Sequence, residues 1–98
     1  MMSLPIVFRR IAGAEMDESI AWYDNQKERL GLELVLEIDR TLARISQNPE
    51  QFPLIRGDIR RALLRRFPYG IHFIVETDRV VILAVFHVKR NPRLLEER

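Results

Sequence analysis

The side chains with most capacity for chemistry lie in residues 60–93, RRALLRRFPYGIHFIVETDRVVILAVFHVKRNPR. His87 sits near the end of the last apolar run, residues 80–88, with Lys89 two positions on and Arg90 beside it. The period of two along a strand puts His87 and Lys89 on one face. Neighbouring cations disfavour the charged imidazole, which makes His87 a candidate neutral base near pH 7. The competing reading is a strand-end histidine that bonds the backbone. Arg60 with Arg61, and Arg65 with Arg66, bracket the run at 62–67. Each pair sends its members to opposite faces, so about half of these guanidinium groups share a surface. There they would suit phosphate or carboxylate, which guanidinium binds through a bidentate fork while staying charged. His72 lies within a strand and reads as structural. Phe67-Pro68-Tyr69-Gly70 either offers an aromatic platform for a base or buries its ring in a turn. Trp22 and Tyr23 fall in a helical pattern and read as packing residues.

Charge is distributed unevenly. Residues 11–48 hold four Lys/Arg against eight Asp/Glu, and residues 60–93 hold eight against two, a swing from −4 to +6 in a chain of net charge +2. The second half therefore suits a polyanion or an acidic protein partner, or its arginines simply solvate a small sheet. There is no cysteine, which excludes disulfides and thiolate chemistry, and the two histidines do not make a zinc spacing. No metal or small-molecule cofactor is expected. Phosphate loops, paired carboxylates and a serine nucleophile pattern are also lacking, leaving nucleotide hydrolysis and serine chemistry without support. No run is long enough for a membrane span, and MMSLPIVFRR lacks the layout of a signal peptide, so the expected location is the cytoplasm.

The elements that must position these groups follow from periodicity. Residues 5–9, PIVFR, make a short strand, at an edge because proline donates nothing to a ladder. From about Ala14, Met16, Ile20 and Tyr23 mark an amphipathic helix with Glu15, Asp17 and Glu18 in its first turn. Leu34, Ile38, Leu42 and Ile45 mark a second helix that ends before Pro49, with Gly31 as the break between the two. Residues 48–58 read as a loop that tucks Phe52 or Leu54 onto the core. Runs at 62–67, 71–75 and 80–88 then form an antiparallel meander through two tight turns. The last run is apolar at nearly every position, as in a central strand covered on both faces. One domain over residues 1–98 results, of α+β class: a short N-terminal strand and a helical hairpin on one face of an antiparallel sheet. The far face is the natural place for a site, and a partner or long neighbouring side chains must shield it.

On these features the chain resembles the RelE/ParE superfamily of toxins from bacterial type II toxin–antitoxin systems, often labelled plasmid stabilisation proteins. The resemblance spans almost the whole sequence, through AWYDNQKERLGLELVLEIDRTLARISQNPEQFP and IRRALLRRFPYGIHFIVETDRVVILAVFHVKRNP, and is most specific in residues 60–69 followed by VVILAVFHVKRNP. It implies a cognate antitoxin, usually encoded by an adjacent gene, whose C-terminal segment folds over the toxin. It also implies one of two activities, poisoning of DNA gyrase or ribosome-dependent cleavage of mRNA. His87 matches the late histidine of some nuclease members and, with Arg90, would carry cleavage. Arg61, Arg65, Arg66 and Lys89 would contact the target. No tyrosine follows the last strand, and the penultimate strand opens Tyr69-Gly70-Ile71 where nucleases can carry an arginine, so the gyrase branch leads. A non-toxic basic binding module that keeps the fold is the third reading.

Overall fold

The computed structural model describes residues 3–98. In chain order the elements are β1 (Ile6–Phe8), α1 (Arg10–Gln26), α2 (Leu30–Gln47), β2 (Leu54–Arg56), β3 (Ile59–Leu63), β4 (Tyr69–Val75) and β5 (Val80–His87), with 3-10 turns at Pro49–Gln51 and Pro92–Glu97. The five strands form one sheet in the order β1-β5-β4-β3-β2. The sheet is mixed, not antiparallel throughout: β1 runs parallel to β5, and the other pairs are antiparallel. An even number of chain reversals separates β1 from β5, so the two point the same way. Pro5 lies just before the edge strand as its chemistry requires, and its carbonyl accepts the Val80 N–H at 2.9 Å.

Both helices cover one face of the sheet. Leu34, Ile38 and Ile45 of α2 are fully buried, Leu42 is half-buried, and Met16, Ile20 and Tyr23 of α1 pack against the same core. The helix boundaries differ from the sequence reading in two places. α1 begins at Arg10, so Glu15, Asp17 and Glu18 lie beyond its first turn, and the Glu15 side chain is largely buried against the sheet. The hairpin breaks at Lys27-Glu28-Arg29, ahead of Gly31: Arg29 takes a left-handed φ of 70°. Gly31 is buried in the first turn of α2, where its N–H donates to Asp24 Oδ1 at 3.0 Å, a cap supplied from the preceding helix. A side chain at Gly31 would collide with that carboxylate, which is why glycine stands there.

The meander also begins differently. Residues 54–56 form the edge strand β2, and the next strand is Ile59–Leu63, so Arg65 and Arg66 leave the strand for the β3–β4 loop. Phe52 is buried against Phe73, while Leu54 is exposed. β5 is an interior strand, buried at every position from Val80 to Phe86. Its far face is shielded by the chain itself: Leu95 of the C-terminal turn packs on Ala84 and Phe86.

β5 carries a bulge. His72 pairs with Ala84 but Phe73 pairs with Ile82, leaving Leu83 as the extra residue. Val80 and Ile82 face the helices before it, and Val85 faces them after it. Beyond Ile82 the outer edge of β5 is open, because β1 has ended and the Arg9 N–H takes the Ile82 carbonyl. Side chains complete that edge. Glu15 Oε1 accepts the Val85 N–H at 3.1 Å, and Arg98 Nη1 donates to the Leu83 carbonyl at 3.0 Å. The two side chains pair through both oxygens and both terminal nitrogens, at 2.9 and 3.0 Å, and both are about nine-tenths buried. Truncating one partner strands a buried charge and an unpaired backbone group, a loss of about 3–5 kcal/mol. Urea unfolding of Glu15→Ala is expected to show that loss, whereas Glu50→Ala, on the surface, should stay within about 0.5 kcal/mol of the parent.

Candidate functional site

α1, the start of β4 and the end of β5 enclose a cleft of about 470 Å³. Glu15, Glu18, Ser19, Trp22 and Tyr23 form its helical wall; Tyr69, Val85, Phe86, His87 and Arg90 form the other. The bulge explains the presence of His87. It shifts the side-chain parity of β5, so that His87 follows Val85 onto the helix-facing side and stands opposite Tyr69, with ring centroids 5.5 Å apart. Burial pushes the Tyr69 phenol up, and the nearby Tyr23 adds to this while Arg90 opposes it. Arg90 reaches the cleft through a tight turn in which its N–H donates to the His87 carbonyl at 2.9 Å. Its guanidinium lies 3.7 Å from Glu15 and 5.4 Å from the centre of the Phe86 ring.

The residues singled out in the sequence are only partly gathered. His87, Arg90, Tyr69 and Trp22 meet in the cleft. Lys89 does not join them, because β5 ends at His87 and the period-two argument stops with it. Its exposed position in the following turn lets its N–H donate to His87 Nδ1 at 3.0 Å. That bond realises the strand-end reading of His87: Nδ1 is the acceptor, and the neutral ring carries its proton on Nε2. Arg61 pairs with His72 across β3 and β4 and faces the opposite side of the sheet from the helices. Arg65 and Arg66 stand beside α2; the Arg65 N–H donates to buried Glu37 at 2.8 Å, and the Arg66 guanidinium lies 3.4 Å from Glu33. Arg60 is structural, donating to the Phe52 carbonyl at 2.7 Å.

Residues 6–92 match the family model for the ParE toxin of the type II toxin–antitoxin system parDE. This chain is a member of the ParE toxin family. No curated protein matches its sequence. Among solved structures it resembles a chain of the chromosomal ParDE toxin–antitoxin system of P. aeruginosa, with a TM-score of 0.77 at 22% identity over 89% of this chain and 98% of that one. It also resembles a chain of the RelBE2 toxin–antitoxin complex of Mycobacterium tuberculosis, with a TM-score of 0.62 at 20% identity over 92% and 97%. A conserved hypothetical protein of Helicobacter pylori aligns with a TM-score of 0.59 at 15% identity over 89% and 97%. At these identities the likeness is one of fold. Among the described residues of this ParE-family toxin, no helix is long and apolar enough to cross a membrane.

Two cleft residues of the ParE-family chain escaped the sequence reading. Glu15 looked like a helix-dipole carboxylate, yet it lies on the buried stripe of α1 with Ala12 and Ser19, a spacing that does mark it in the sequence. Trp22 looked like a core residue, yet 54% of its surface is exposed. The stripe Met16, Ile20 and Tyr23 does separate it from Tyr23, which is half-buried and meets Phe67 at 5.0 Å, whereas Trp22 lies off that stripe.

On the far face, His72 is buried beside Phe86 at 4.6 Å, with Nδ1 unpartnered, and the buried Nε of Arg61 is unpartnered as well. Gly70 makes room for this arrangement, since a Cβ there would stand 3.1 Å from Arg61 Cδ and 3.3 Å from His72 Cε1. Burial, and next the charge of Arg61, lower the His72 pKa from 6.5 to about 4. The folded toxin thus keeps His72 neutral where the unfolded chain takes up a proton. The stability that this neutral ring contributes is complete above pH 6.5 and is lost as pH falls towards 4, in total on the order of 3 kcal/mol. Denaturant midpoints measured across that window should fall more steeply for the parent than for His72→Gln, which has no group to titrate there.

Proposed function

We propose that this ParE-family toxin arrests growth by poisoning DNA gyrase, and that a cognate antitoxin neutralises it. The observation that carries the target is the charge inventory of the cleft. RNA cleavage needs a free base, an acid and several cations converging on a crowded phosphorane. Here, among the described residues, the one arginine or lysine lining the cleft is Arg90, which lies 3.7 Å from Glu15, with Glu18 on the same wall and His87 Nδ1 held by the backbone. Such a surface lacks the several converging cations that a phosphorane needs and suits contact with a protein. The antitoxin rests on family membership and on the ParDE system and RelBE2 complex in which the similar folds occur. Its acidic or amphipathic segment would offset the excess of arginine in residues 60–93. Either target places the action in the cytoplasm.

Ribosome-dependent mRNA cleavage is the second reading, favoured by the meeting of His87, Tyr69 and Arg90 in one cleft. The two separate by experiment. Antitoxin-free protein added to gyrase and relaxed plasmid is expected to inhibit supercoiling in proportion to dose, or to trap cleaved DNA, and His87→Ala should retain most of that effect. Gyrase left untouched by protein that still arrests growth, together with mRNA cleavage abolished in His87→Ala, would overturn the gyrase reading. Folded protein that arrests no growth would assign the non-toxic module instead.

A further inference from the structure

α2 and the β3–β4 loop enclose a second, smaller pocket of about 190 Å³, lined by Glu37, Arg40, Thr41, Arg44 and Arg65. It shares no residue with the cleft beside α1. Glu37, Arg40, Thr41 and Arg44 follow one another at helical spacing along one face of α2, and Arg65 enters from the loop. Glu37 and Thr41 are buried and form the base. Their polar atoms are satisfied within the chain: Thr41 Oγ1 donates to the Glu37 carbonyl at 2.9 Å, and Glu37 Oε1 accepts the Arg65 N–H at 2.8 Å. Glu37 Oε2 lies 3.9 Å from Arg40 Nη1. The base thus roots two of the cations and needs no ligand for itself. The third is placed by an aromatic ring, since the Arg44 guanidinium carbon stands 5.2 Å from the centre of buried Phe52.

Three positive charges against one leave the pocket at +2. Among the described residues, neither the Arg44 nor the Arg65 side chain has an ion pair. Glu33, one turn earlier on α2, is already matched by Arg66 at 3.4 Å, and Asp39 does not line the pocket. The charge is invisible along the sequence, because Arg40 and Arg44 belong to the half that sums to −4 and Arg65 to the half that sums to +6. A carboxylate, with a single charge and two oxygens, would leave part of this surplus unmatched. A phosphate monoester near pH 7 carries about two charges and three strong acceptor oxygens. Guanidinium binds such oxygens through its fork and never loses its proton. No aromatic or apolar side chain lines the pocket to hold a base or a carbon skeleton, so the phosphate itself is the part recognised.

We propose that this pocket binds a terminal phosphate group, a dianion that offers one oxygen to each of Arg40, Arg44 and Arg65. The site lies apart from the cleft and does not rest on the gyrase reading.

Isotopically labelled, antitoxin-free full-length protein titrated with inorganic phosphate at constant ionic strength should show saturable shifts of the Arg40, Arg44 and Arg65 side-chain N–H resonances. Acetate should bind several-fold more weakly. Arg65→Gln keeps the bond to Glu37, which the backbone makes, and Arg40→Gln alters a side chain that is 71% exposed, so both variants keep the fold. Each should weaken phosphate several-fold. Arg10→Gln, which removes the same charge from an exposed position outside the pocket, should leave the affinity unchanged. A short oligonucleotide ending in phosphate that outbinds the same strand ending in hydroxyl would support the site and place its phosphate on nucleic acid. Binding of inorganic phosphate with neither strand bound would support it with a small phosphate as the source. No saturable shift, equal binding of acetate, or an equal loss in Arg10→Gln would each overturn the proposal. Protein that binds phosphate but spares gyrase overturns the target alone, and protein that inhibits gyrase but ignores phosphate overturns this site alone.

Discussion

The open edge of β5 beyond Ile82 is the constraint on which the remaining structure depends. A buried backbone group without a partner costs about 1–3 kcal/mol, and β1 is too short to pair with residues 83–85. Glu15 and Arg98 do what a strand would have done, one accepting from Val85 and the other donating to Leu83. Because Glu15 belongs to α1 and Arg98 to the end of the C-terminal turn, one ion pair fixes three elements around the bulge. Breaking a buried pair from one side is far more costly than the net worth of the pair. The pair therefore acts as a constraint on geometry, setting where α1 crosses the sheet and keeping the bulge in register.

The bulge in turn decides which side of the sheet receives the chemistry. Were Leu83 an ordinary paired residue and not an extra one, His87 would share the parity of Val81 and would turn away from α1. With it, His87 meets Tyr69 under the helix and the cleft acquires a polar end. The same clasp draws Arg90 to Glu15. A single carboxylate thus both completes the strand edge and stands beside the cation of the cleft, so the stability of the fold and the electrostatics of its cleft share one residue.

The far face shows a different balance. The C-terminal turn covers Ala84 and Phe86 with Leu95, so the apolarity of β5 is satisfied within the chain over that stretch. Arg61 and His72 remain there with one buried nitrogen each unpaired, a polar pair held against an aromatic ring. The basic half of the sequence is thereby divided: Arg61 goes to this face, Arg65 and Arg66 go to the α2 side, and Arg90 goes to the cleft. A charge of +6 read along the chain does not become one basic patch.

Local pattern was enough to specify the class of the protein. The stripe Leu34, Ile38, Leu42 and Ile45, the stop before Pro49 and the wholly apolar residues 80–86 specify two helices on a sheet with an interior last strand, because each is a local signal whose period or stereochemistry admits one structure, whereas the turn read at residues 67–70 falls earlier, since Tyr69 and Gly70 already belong to β4. The parallel pairing of β1 came from the packed fold, since residues 6–8 carry no record of their partner. So did the bulge, because a run apolar at every position conceals its own parity and a slip of one residue leaves the pattern unchanged. The meeting of Glu15 with Arg98, 83 residues away, is of the same kind, since charge complementarity at long range has no period to read. The family was legible because it lies in the order of elements; the cleft was not, because it is made where α1, β4 and β5 meet and exists only once the bulge has turned His87 towards the helix.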